Sequence, residues 1–100
     1  MTKQLTTINP ATEEVINTYD VATKEHIREK TKKALNAHLD WRKDLQKRAD
    51  HIHDFAQQLI KNKEDLARKV TQEMGKGIKD ARAEVEKCAW DYLQITAGCL

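Results

Sequence analysis

The chain has 100 residues, 39% hydrophobic and 34% charged, with 18 basic residues against 16 acidic ones. That length bounds it to one domain or part of one, and the resulting net charge of +2 excludes the one-sided basic field that holds nucleic acid. The opening MTKQLTTINP has no apolar run and no stretch is long enough to span a bilayer, so the expectation is a cytoplasmic protein with reduced thiols, neither secreted nor membrane-bound.

The first twenty residues differ from the rest. TTINPATEEVINTYD is rich in Thr, Ile, Val and Tyr and is interrupted by Asn9 and Pro10. Residues 6–9 and 15–19 suit extended backbone. The segment between them suits a turn, because Pro10 fixes φ and Asn9 favours turn geometry. A β-hairpin over 5–20 follows. A lone two-stranded hairpin is marginal in water, so something must cover it.

Scarce breakers and abundant Ala, Leu, Lys, Glu and Gln predict helix over 22–98. Thr23 is placed to cap the first helix, with Glu25 in its first turn. Ile27, Thr31, Ala34, His38 and Trp41, joined by Leu35, fall on one face, and Lys and Arg occupy the other. Asp44 caps a second helix with the stripe Leu45, Ala49, Ile52, Ala56 and Leu59, flanked by Phe55 and Ile60. Asn62 caps a short third helix carrying Leu66, Ala67, Val70 and Met74. Gly75 stops it in the usual C-terminal glycine position. A fourth helix runs from about Ile78 with the stripe Ala81, Val85, Cys88, Ala89, Tyr92 and Ile95. The fold class is therefore mainly α: a single partial domain over 1–100, with an N-terminal hairpin and four amphipathic helices.

Residues able to do chemistry are present, but their spacings point elsewhere. His51 and His53 are two apart, roughly 200° around a helix axis, and cannot share an ion. His26 and His38 lack zinc-ligand spacing. Cys88 falls on an apolar stripe and reads as a small buried thiol; Cys99 falls on an exposed tail. Gly75-Lys76-Gly77 separates two helices and lacks the strand and the GxxxxGK[ST] pattern of a phosphate loop. Glu73 and Glu84 lie across a helix break and read as solvated charge. The residues alone yield no active site.

The combination is more specific than its parts. INPATEEVI (8–16) resembles the N-P-[AS]-T-G-E-x-I hairpin that opens aldehyde dehydrogenases. A helix closing on Trp41 matches the next element. The stretch from RADHIHDF to CAW resembles the helical region that follows, with its E-M-G-K and A-x-x-E-V landmarks. The resemblance covers about 7–92, and the E-M-G-K form is most similar to the succinate-semialdehyde dehydrogenase branch. One departure is the turn glycine, which is Glu14 or its neighbour here, so the turn forms without a φ > 0 glycine or under strain. The other is the ending LQITAGCL, where the family continues into a linker. It suggests a truncated, frame-shifted or split reading frame.

The resemblance implies that an enzyme of this kind oxidises an aldehyde to an acid with NAD or NADP. Its cofactor domain, nucleophilic cysteine and activating glutamate match no part of this chain, so no catalytic or cofactor-binding residue is expected here and the chain alone is expected to be inactive. The same resemblance maps a monovalent cation site of the family onto Thr7, Ile8 and Glu84. That site also uses a carbonyl of the cofactor domain, so at most a weakly held ion is implied. The implied partners are a second copy, in a homodimer contacting through Val85, Ala89, Tyr92 and Ile95 with Trp90 at the rim, or a complementing dehydrogenase fragment. The alternative is a small helical interaction module.

Overall fold

The computed structural model describes residues 3–99, with side chains to residue 97. Strands β1 (Gln4–Ile8) and β2 (Val15–Asp20) form an antiparallel hairpin, with Leu5 opposite Tyr19 and Thr7 opposite Asn17. A bulge at Thr7/Ile8 shifts the register so that Ile8 faces Val15. The turn is closed by Asn9. Its N–H donates to the Glu14 carbonyl at 2.8 Å, and its Oδ1 accepts from the Ala11 N–H at 2.9 Å. Glu13 takes φ 63°, a left-handed conformation costing a residue with a Cβ about 1–2 kcal/mol. The glycine of the family pattern is thus replaced at Glu13, and the turn is made with strain.

Four helices follow: α1 (Lys24–Trp41), α2 (Leu45–Lys61), α3 (Lys63–Met74) and α4 (Ile78–Cys99). The Thr23 hydroxyl accepts from the His26 N–H and the Asp44 carboxylate from the Lys47 N–H, so two of the three expected N-caps form. Asn62 holds the cap position of α3, but its amide donates back to the Gln58 carbonyl at 2.9 Å and closes α2 instead. Glu64 and Asp65 supply the negative charge that suits the first turn of α3. Gly75 ends α3 at φ 70°. A Cβ there would meet Pro10 Cγ at 3.0 Å, so the hairpin turn is seated on the end of α3 where only a glycine leaves room.

α2, α3 and α4 pack along a seam of small residues. The buried apolar side chains are Ala49 and Ala56 of α2, Ala67 of α3, and Ala81, Val85 and Ala89 of α4. Small side chains bring helix backbones close but remove little apolar area from water. No large side chain is fully buried among the described residues. The molecule is a slab of 46 × 40 × 15 Å with a radius of gyration of 17.6 Å, against about 13 Å for a compact chain of this length. Its thickness is little more than that of one helix.

One expectation is corrected, and two apolar surfaces stand bare. The apolar face of α1 is exposed, with Ile27 at 55% and Leu35 at 64%, because the helix meets α2 at its Trp41 end and leaves the rest of that face uncovered. Cys88 is exposed, since the seam follows Ala81, Val85 and Ala89 and leaves position 88 on its flank. The hairpin is uncovered apart from its seat on α3, with Leu5, Ile8, Val15 and Tyr19 exposed. The expectation for the Cys99 side chain lies outside the described residues. Among the described residues no helix is long and apolar enough to cross a membrane.

Candidate functional site

The alanine seam is narrower than the apolar stripes that carry it, so a second set of side chains is left beside it. On α2 these are Leu45, Ile52 and Leu59; on α4 they are Cys88 and Ile95. Residues seven apart drift only about 20° around a helix, so each set lines one flank of its helix. Leu45 and Ile52 face Ile95 in a cavity of about 250 Å³ that Trp41 and Arg48 also line. Leu59 faces Val85 and Cys88 in a cavity of about 350 Å³ with Leu66, Val70 and Met74 of α3. Between the two, the rings of Phe55 and Tyr92 meet edge to face at 5.3 Å. Together the two cavities and the aromatic pair line an apolar groove along the antiparallel α2–α4 pair.

Charge is placed at its ends. Arg48 stands at one, donating to the carbonyls of Trp41 at 3.2 Å and Arg42 at 2.7 Å and so tying the end of α1 to α2. Lys69, Glu73 and Glu84 rim the other. Glu84 accepts from the Lys76 ammonium across the Gly75–Gly77 break. On the other side of α4, Arg82 donates to Glu64 at 2.8 Å and Lys63 to Glu86 at 2.8 Å, fastening α3 to α4. The Arg82 hydrogen bond holds the Glu64 carboxyl below its ordinary value, and the same bond raises Arg82. Lys87 is raised by its hydrogen bond to Asp91.

Thr7, Ile8 and Glu84 are each engaged or placed as follows. The Thr7 hydroxyl donates to the Asn17 carbonyl at 3.3 Å within the hairpin, Ile8 is exposed, and Glu84 has Lys76 as counter-charge. Among the described residues no group of three His, Cys, Asp or Glu side chains is arranged to hold a metal ion. His51 lies instead against the Trp41 ring, with centroids 5.3 Å apart.

The Cys88 thiol opens into the larger cavity, whose lining contains no histidine to act as its base. Asp80 stands in the first turn of α4, where its carboxylate suits the positive end of the helix. What the arrangement presents is an apolar groove.

Of the side chains expected at a dimer contact, Val85 and Ala89 are buried in the chain's own seam and are unavailable. Tyr92 and Ile95 stand on the groove. Trp90, 62% exposed, is two residues from Cys88, about 200° around α4, and so faces away from it. The groove itself was readable as the excess width of the α2 and α4 stripes. The Lys76–Glu84 pair was not, because it bridges a helix break.

The aldehyde dehydrogenase family model matches residues 1–100. Malonate-semialdehyde dehydrogenase of Bacillus subtilis (strain 168) is 39% identical over 92 residues, covering 91% of this chain and 19% of the relative. Malonate-semialdehyde dehydrogenase 1 of Shouchella clausii (strain KSM-K16) is 37% identical over 92 residues, covering 91% and 18%. Succinate semialdehyde dehydrogenase Sad of Escherichia coli (strain K12), an NAD(P)+ enzyme by name, is 37% identical over 83 residues, covering 82% and 18%. The chain thus spans about a fifth of the length of the curated relatives it matches.

Proposed function

The chain belongs to the aldehyde dehydrogenase family, and from that membership we propose that it forms the hairpin-and-helix layer of a cytoplasmic, NAD(P)-dependent dehydrogenase for a short acidic semialdehyde. The observation that carries the reading is the match to malonate- and succinate-semialdehyde dehydrogenases over nine-tenths or four-fifths of the chain. The reaction class is oxidation of an aldehyde to an acid, and NAD or NADP is the hydride acceptor. In this reading the chain contributes scaffold, and the cofactor and the nucleophile belong to further segments. The groove, the bare face of α1 and the thin slab support it, because a single layer of helices needs a second layer to bury its apolar side.

By itself the chain is inactive in this reading, since covalent aldehyde oxidation needs an activated thiolate against a bound nicotinamide. The test is purified protein with succinate or malonate semialdehyde and NAD+ or NADP+. The expected result is no reduced nucleotide; turnover that disappears in Cys88→Ala overturns the scaffold assignment. A monovalent ion at Thr7, Ile8 and Glu84 competes with the Lys76 ammonium, so its binding is weak and strengthens in Lys76→Ala, measured by thermal shift in potassium against tetramethylammonium salts.

A second reading, an interaction module that pairs with itself or with a complementing dehydrogenase fragment, is favoured by one observation. The α2–α4 groove is apolar and open, with Phe55 48% exposed at its middle.

A further inference from the structure

We propose that α1 is a strap: in the chain by itself it swings about the connection 42–44 and closes over the α2–α4 groove, and it gives the groove up when the further segments of the enzyme arrive. The guarding role rests on the scaffold reading above; the closure does not.

Four observations single out α1. First, one end of it is already seated. Trp41 lines the smaller cavity with Leu45, Ile52 and Ile95 and lies against His51, while Ile27 and Leu35 farther along the helix are exposed. Second, α1 ends at Trp41 and α2 begins at Leu45. So short a connection is the kind that joins two antiparallel helices packed side by side. Third, the two stripes share a register. Ile27, Ala34 and Trp41 are spaced by seven, as are Leu45, Ile52 and Leu59. Folding α1 back from Trp41 at Leu45 therefore lays Ala34 over Ile52 and Ile27 over Leu59. Thr31 then comes over Phe55, so small side chains of the strap meet the two bulky ones at the middle of the groove, as interdigitating layers require. Fourth, the lengths agree. The 18 residues of α1 measure about 27 Å, and the groove from Leu45 to Leu59 about 21 Å. Closure removes both bare faces from water at once, which is its driving force. Arg48, bonded to the carbonyls of Trp41 and Arg42, holds the end of α1 on α2 as the pivot, and Lys43 and Asp44 absorb the change in backbone angle.

The closure is read by a cross-link. Leu59 and Cys88 line the same cavity, so a closed strap brings position 27 to the Cys88 thiol, within the Cα separation of about 7 Å that a disulfide spans. Ile27→Cys is made in a Cys99→Ser background and oxidised with diamide, which takes up the two thiol hydrogens as the S–S bond forms. Ile27 is exposed, so the change leaves the fold intact, checked by circular dichroism. The expected result is loss of both free thiols within one chain, at a rate independent of protein concentration. Glu29→Cys, about 200° around the helix from position 27, gives no such product. Internal cross-linking that is equal in the two variants, or cross-links that form only between chains, overturns the strap and leaves the scaffold reading untouched. The guarding role is read by adding a relative's polypeptide that lacks its own matching segment, which slows the internal cross-link by occupying the groove. A polypeptide that binds the chain without slowing it overturns the guarding role, and one that does not bind at all overturns the scaffold reading on which that role rests.

Discussion

Gly75→Ala tests how the hairpin is joined to the helices. Two costs are added at one residue. Gly75 has φ 70°, where a side chain costs about 1–2 kcal/mol. The new methyl also starts 3.0 Å from Pro10 Cγ, closer than carbon atoms pack, and moving the proline ring aside costs on the order of 1 kcal/mol, the low end for overpacking. Against these, alanine loses less freedom than glycine on folding, which returns about 0.4–1 kcal/mol. The sum is a destabilisation of roughly 1–2 kcal/mol, or a melting temperature lower by about 4–8 °C for each kcal/mol. Urea unfolding followed by circular dichroism measures it. A cycle with Pro10→Ala separates the two terms: the clash vanishes in that background and the backbone cost stays. A neutral or stabilising Gly75→Ala, or a cost equal in both backgrounds, refutes the seating of the turn on α3.

Other perturbations have definite signs. Glu13→Gly relieves the left-handed strain at φ 63° and, after the greater unfolded-state freedom of glycine, stabilises by about 0.5–1 kcal/mol in the same unfolding assay. Thr71→Val removes a hydroxyl that is buried with no partner among the described residues and stabilises by about 1 kcal/mol, read as a higher urea midpoint. The Glu64 carboxyl lies below its ordinary value of 4.5 in the folded chain because Arg82 bonds to it. As pH falls the unfolded state takes up that proton first, so this contribution is complete above about pH 4.5 and is lost as pH falls through the folded value. Urea midpoints taken from pH 6 to pH 3 fall more steeply for the wild type than for Glu64→Gln.

What the sequence made legible was local. Thr23, Asp44 and Gly75 mark helix ends because a cap needs only its own next few residues. Asn62 shows the limit of that rule: its position is right, but two helices end there and its amide serves the earlier one. Periodicity placed the stripes, since the alanines of the seam recur at helical spacing on α2 and α4. It did not tell which part of a stripe meets a neighbour. Cys88 and Ile95 share a stripe with buried Val85 and Ala89 yet stand in the open groove. The exposure of α1 was illegible for the same reason, because an amphipathic face records that a helix has a partner and not where the partner is. The strain at Glu13 followed from a motif position, where a glycine pattern carries a glutamate.

The measurement closest to the account's central claim is reconstitution. The chain is mixed with a Bacillus subtilis malonate-semialdehyde dehydrogenase polypeptide that lacks its own matching segment, and reduced nucleotide is followed with malonate semialdehyde and NAD+. The account predicts no turnover from either polypeptide alone, turnover from the mixture, and loss of that turnover with Phe55→Lys, which blocks the groove. Activity in the truncated relative without this chain, or an inert mixture in which the two polypeptides nevertheless bind, contradicts it.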